Sequence, residues 1–192
     1  MTVITGARKG RYNENGTISA EVKFSDYDKY LPYTAAAHDP ADYGRQLYAD
    51  LVAGKYGPVT PFTATPEMIQ AAKDRKRDEI NAWRDAQENG NIIFSLNGHH
   101  WDCGKASQSR LAPVVSVAKA GLLPVGFFWT DADNIDVPMT ADELSSLESA
   151  MQENMVLQGF KIHERQRGMK EDVDNLITLD AVRGYRVGWP DA

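Results

Sequence analysis

The residues best suited to chemistry sit within one short segment: His99, His100 and Cys103. Imidazole nitrogens and a thiolate are zinc ligands, and a Cys–His pair can serve as nucleophile and base. Both chemistries need convergence. A zinc site takes three or four nitrogen or sulfur ligands arranged tetrahedrally, and no second cluster of Cys or His completes such a shell. The segment follows Asn97-Gly98, the preferred pair for a tight hairpin turn. In that register His99 and Cys103 share a face at opposite ends of a strand, while His100 points to the other face. Cys103 is therefore expected as a small buried hydrophobe and the histidines as strand-edge residues, with no metal and no cofactor. Asp131 and Asp133 suggest a cation site, but in a hairpin loop Asp serves turn geometry, and the glycine and distal glutamate of a calcium loop do not follow. No phosphate-binding loop, dinucleotide fingerprint or nucleophile elbow occurs. The residue inventory points to a protein that catalyses nothing. The alternative is a small metal- or Cys-dependent enzyme using the His99–Cys103 segment.

A second group of residues suits binding. Tyr27, Tyr30, Tyr33, Tyr43, Tyr48 and Tyr56 crowd into thirty positions. Tyrosine favours interfaces because its ring is apolar and its tip polar, though a small module also uses such rings to fill a minimal core. Tyr27, Tyr30, Tyr33 and Tyr43 are the candidate partner-binding residues, with Tyr27 and Tyr30 expected to be the most exposed because they flank a turn.

These residues need elements to hold them. Thr17–Phe24 alternates Ile18, Ala20, Val22 and Phe24 with polar residues, which is strand periodicity. Asp39-Pro40 predicts a helix start with Asp39 as its cap, an apolar stripe of Tyr43, Leu47 and Leu51, and a stop at Gly54. Residues 58–66 hold three prolines and are predicted to be an extended linker. A helix from about Pro66 to Glu88 follows, capped by Thr65. Its charged middle, Lys73 to Glu79, reads as a solvated face held by pairs such as Arg75–Glu79, or else as a basic contact surface. The Asn97-Gly98 hairpin pairs Ile92 with Cys103, Phe94 with Trp101 and Leu96 with His99. A helix over Ser107–Ala120 should carry Pro113 in its first turns, since an interior proline costs about 3 kcal/mol. A second hairpin joins Val125–Thr130 to Ile135–Val137. Thr140-Ala141-Asp142-Glu143 is a capping box for a long helix, which Gly159 and Gly168 are expected to bend or break. Thr178 and Asp180 cap a last short helix. The fold class is α+β: a small N-terminal β-rich module (1–57), a Pro-rich linker (58–66), and a C-terminal module (67–192) with a small antiparallel hairpin sheet and long helices.

Composition narrows the partners. The net charge of −6 disfavours phosphate backbones and anionic membranes, so neither nucleic acid nor membrane is expected as a partner. The opening MTVITGARKG lacks the apolar stretch of a signal peptide. Prolines, glycines and Lys119 interrupt the most apolar region, Leu111–Trp129. One cysteine allows no intramolecular disulfide.

The order of these motifs resembles a known family. A charged helix with Lys76-Arg77-Asp78-Glu79-Ile80-Asn81 leads into a hairpin with an Asn-Gly-His turn. After a small-residue helix comes Trp129-Thr130-Asp131-Ala132-Asp133, then a Thr-Ala-Asp-Glu-Leu cap, a long helix and a terminal Gly-Trp-Pro. This resembles the uncharacterised domain near the C-termini of bacteriophage tail-fibre assembly and tail-fibre-associated proteins, over roughly Lys73–Asp191. Tyr30-Leu31-Pro32-Tyr33-Thr34-Ala35, Asp39-Pro40, Tyr43-Gly44-Arg45 and Gly57-Pro58-Val59 resemble a module of phage tail proteins. The resemblance implies a protein that binds the tail fibre or baseplate, as an assembly chaperone, a virion structural component or both. It implies residence in the host cytoplasm during assembly or in the virion tail, and it supplies no catalytic residues; a phage regulatory protein that binds a host protein is a further alternative. The second module would provide the second contact or a homo-oligomer surface.

Overall fold

The computed structural model describes residues 3–190. The fold is α+β, and the chain divides into two units between Met68 and Ile69.

The first unit is an antiparallel meander, β1 (Ile4–Tyr12), β2 (Ile18–Phe24) and β3 (Tyr30–Ala35), with α1 (Asp42–Val52) on one face. The alternation of β2 sends Ile18, Ala20 and Val22 inward, where they meet Ala35, Leu47 and Leu51. Ser19, Glu21 and Lys23 take the open face. β1 is irregular. Its register shifts between Arg8 and Arg11, and Lys9 takes a left-handed conformation (φ 55°), so Arg8 and Lys9 both reach Glu21 at 2.7 Å. α1 starts later than its sequence suggests. Its cap is Ala41, without a side-chain bond, because Asp39 is used otherwise: its carboxylate accepts from the Ala41 amide (2.9 Å) and the Tyr33 hydroxyl (2.8 Å). Part of the proline-rich stretch also has structure. Thr60 exchanges backbone bonds with Gly10 and Tyr12 at 2.9 Å, and Val59 packs against the sheet-helix core. An unpaired β1 edge thus gains a partner.

The second unit takes most of α2 (Pro66–Glu88), then β4 (Ile92–Leu96), β5 (His99–Cys103), α3 (Lys105–Lys119), β6 (Phe128–Thr130), β7 (Asp136–Pro138), α4 (Ala141–Asn175) and α5 (Leu179–Gly184). The β4–β5 register is the predicted one, with positive φ at both Asn97 and Gly98. Phe94, Trp101 and Cys103 face Leu111, Val115 and Ala118 of α3 and Leu144, Leu147 and Met151 of α4. A second cluster joins Ile80 of α2 to Met169 and Val173 of α4, with Trp83, Tyr185 and Val187 packed against it. The hairpins β4–β5 and β6–β7 are separate two-stranded sheets.

Two helices override expectation. Pro113 lies inside α3 rather than in its first turns, and α4 runs unbroken through Gly159 and Gly168. The magnitudes explain both. A helical glycine costs about 1 kcal/mol and a proline about 3, while each large buried side chain contributes roughly 1.5–3 kcal/mol. Leu111 and Val115 around Pro113, and Leu147, Met151, Ile162, Met169 and Val173 along α4, outweigh the breakers. The Thr140 capping box is complete: Glu143 donates its amide to Thr140 Oγ1 (3.3 Å) and accepts the Thr140 amide (2.7 Å). Thr178 caps α5 through its hydroxyl, which accepts from the Ala181 amide (3.2 Å).

The charged middle of α2 forms pairs other than Arg75–Glu79. Lys76 takes Glu79 (2.7 Å), and Arg77 takes both Asp74 and Asp174 at 2.6 Å. With Lys73 donating to the Asp174 carbonyl (2.7 Å), part of the basic run ties α2 to the last turn of α4.

Candidate partner-binding surfaces

The four candidate tyrosines of the first unit are arranged by the pleat of β3. Tyr33 points to the helix side and is half-buried, while Tyr30, three residues earlier, lies on the open face. Tyr33, Tyr43 of α1 and Phe24 form a triangle with ring centroids 6.1 Å apart. Burial and the neighbouring Asp39 carboxylate push the Tyr33 phenol well above its usual pKa, so it stays a hydrogen-bond donor. On the other face the Arg8 guanidinium lies 4.1 Å from the Tyr30 ring. Tyr27, in the β2–β3 turn, is 57% exposed, Tyr30 37% and Tyr43 41%. The structure therefore brings Tyr33 and Tyr43 together and sets Tyr30 on a separate surface.

In the second unit the chemically suggestive segment is held by packing. Cys103 is buried, its thiol donates to the Met151 carbonyl (3.3 Å), and burial raises its pKa. It borders a crevice of about 190 Å³ beside Gly104 and Lys105. His99 does not approach it: His99 Nδ1 meets Asp131 (2.9 Å) and His100 Nδ1 meets Asp133 (2.9 Å). Among the described residues no group of three His, Cys, Asp or Glu side chains is placed to hold a metal. The Asp131 carboxylate serves the turn. Oδ1 accepts the Asp133 and Ile135 amides at 2.9 Å, and Oδ2 meets His99. The Ile135 amide above all, with the His99 ring and the Asp133 amide, holds this carboxyl below its usual pKa.

Two features of this unit have no counterpart in the motif reading. Trp101, Phe127, Phe128 and Trp129, with Asp102 and Arg110 among the polar residues, line a recess of about 310 Å³. Arg110 makes a long bond to Ser107 Oγ (3.4 Å) and no ion pair among the described residues. Aromatic walls beside such a guanidinium suit an apolar side chain next to a carboxylate. The signal in the sequence was the Phe127-Phe128-Trp129 run, whose recess forms only when α3 is folded beside it. The second feature is an apolar outer face of α4 at Val156, Leu157 and Phe160. Its signal was apolar residues lying off the Leu144–Leu147–Met151 stripe.

The model of a family described as a domain of unknown function (DUF4376) matches residues 71–185, more than half of the chain. The chain belongs to the DUF4376 family. The DUF4376 segment takes in both hairpins, α3, α4, α5 and the aromatic recess, and it leaves the tyrosines of the first unit outside. No curated protein and no solved structure matches the chain. No helix among the described residues is long and apolar enough to cross a membrane.

Proposed function

We propose that this protein is a binding component of bacteriophage tails. It docks on a tail-fibre or baseplate protein without catalysis and acts as an assembly chaperone, a virion structural component or both. The observation that carries this reading is the exposure of Tyr27, Tyr30 and Tyr43 on a unit whose core closes without them, on Ile18, Val22, Ala35, Leu47 and Leu51. Large amphipathic rings left at a surface contribute strongly to protein interfaces, because they bury apolar area and keep a polar tip satisfied. The order of motifs resembling tail-fibre-associated proteins supplies the partner class. The aromatic recess beside Arg110 gives the second unit its own contact, suited to an acidic and aromatic segment of the partner.

Co-expression with the fibre protein encoded beside it, followed by size-exclusion chromatography, tests the reading. The two proteins are expected to co-elute, and Tyr30→Ala with Tyr43→Ala should weaken the complex about tenfold or more. Separate elution, with fibre solubility unchanged, would refute the chaperone role. Mass spectrometry of purified particles separates the two roles, since a structural component must be present and a pure chaperone absent.

A further inference from the structure

We infer that the outer face of α4 is a self-association surface, on which a second copy of this chain docks its own α4 antiparallel, with the two-fold axis at Phe160. The inference does not depend on the fibre partner. Val156, Leu157 and Phe160 are 71%, 53% and 62% exposed. They lie on the side of the helix opposite the buried stripe of Leu147, Met151, Ile162 and Met169, given about 100° of rotation per residue. Contiguous apolar side chains on an otherwise charged helix mark an interaction face.

The charges beside this face choose the occupant. Glu153 lies seven residues before Phe160 and Arg167 seven residues after it, on the same face at the spacing of a helical seam. Both are exposed, and neither has an ion-pair or hydrogen-bond partner among the described residues. Antiparallel pairing about Phe160 sets residue 160 − n opposite residue 160 + n. Glu153 of each copy then meets Arg167 of the other, closing two ion pairs around a central pair of Phe160 rings. Leu157 faces the ring of His163, and Val156 lies against Glu164 at the rim. Registers shifted along the helix are less complementary. A centre between Leu157 and Phe160 opposes Glu153 to Glu164, and a centre on Leu157 sets Phe160 against Asn154. A contact of one helix pair is at the small end of specific interfaces, so association should depend on concentration.

Analytical ultracentrifugation of the full chain across a dilution series tests this. The wild type is expected to sediment as a dimer that dissociates on dilution. Phe160→Glu should abolish the dimer while melting like the wild type at dilutions where the wild type is monomeric, since Phe160 contributes little to the core. Glu153→Arg and Arg167→Glu should each weaken dimerisation about tenfold, and the double reversal should restore it. Under oxidation Phe160→Cys should cross-link to itself and Leu157→Cys should not, the native Cys103 being buried. A chain that is monomeric at every concentration, a double reversal without rescue, or cross-linking through Leu157→Cys instead would overturn the proposal.

Discussion

Asp131 shows how one side chain can organise a region without being a site. Its two oxygens hold the β6–β7 turn and reach across to His99, and the Ala132 amide beside it donates to the His100 carbonyl at 2.8 Å. Asp133, by contrast, meets only the exposed His100 ring through its side chain among the described residues. Asp131→Ala should therefore lower the thermal midpoint clearly more than Asp133→Ala. The pH dependence has a definite sign. The folded pKa of Asp131 lies below its unfolded value, about 3.9 for an ordinary aspartate. Its contribution is thus complete above that value and is lost as pH falls through the folded pKa. The gap between wild type and Asp131→Ala should narrow as pH falls below about pH 4. The turn role of Asp131 is legible in the sequence, because the amides that donate to it are two and four residues away. The His99 contact is not, because it joins residues brought together only by the hairpins.

At the scale of elements, what is decided locally was legible and what is decided by packing was not. Thr65, Thr140 and Thr178 all cap helices as their spacing implies, since a cap needs only the next three residues. The Asn97-Gly98 hairpin registers as expected for the same reason. Asp39 was misread because its carboxylate has a competing partner, the Tyr33 hydroxyl, from another element. The continuity of α3 through Pro113 and of α4 through its glycines was decided by the cores beneath them. These breakers should therefore be removable at a gain. A side chain at Gly168 meets nothing within contact distance, so Gly168→Ala should stabilise the chain by about 1 kcal/mol. Pro113 is exposed, and Pro113→Ala should stabilise by up to about 3 kcal/mol, less whatever the unfolded chain gains in freedom. Denaturant midpoints at unchanged slope would verify both, and a loss of stability at Gly168→Ala would contradict an unbroken helix at that position.

For the whole molecule, the two-unit organisation is visible in the sequence as a proline-rich stretch between a strand-bearing segment and a segment with long helices. Its boundary is less so. The prolines suggest a joint over residues 58–66, yet Val59 and Thr60 are bound into the first unit and the division falls just inside α2. The exposed stretch Pro61-Phe62-Thr63 carries no helix or strand. Limited chymotrypsin digestion should cut first after Phe62 and leave fragments of about the two unit sizes on a gel. First cleavage inside either unit would contradict this assignment. Within the second unit, α4 spans about 50 Å at 1.5 Å per residue and is built into both hydrophobic clusters. That shared beam makes the clusters thermodynamically inseparable. Opening either one strips half of the same hydrogen-bonded ladder, so the unit should breathe as one cooperative block, with amide protons near Leu147 and Val173 exchanging only in openings that release both.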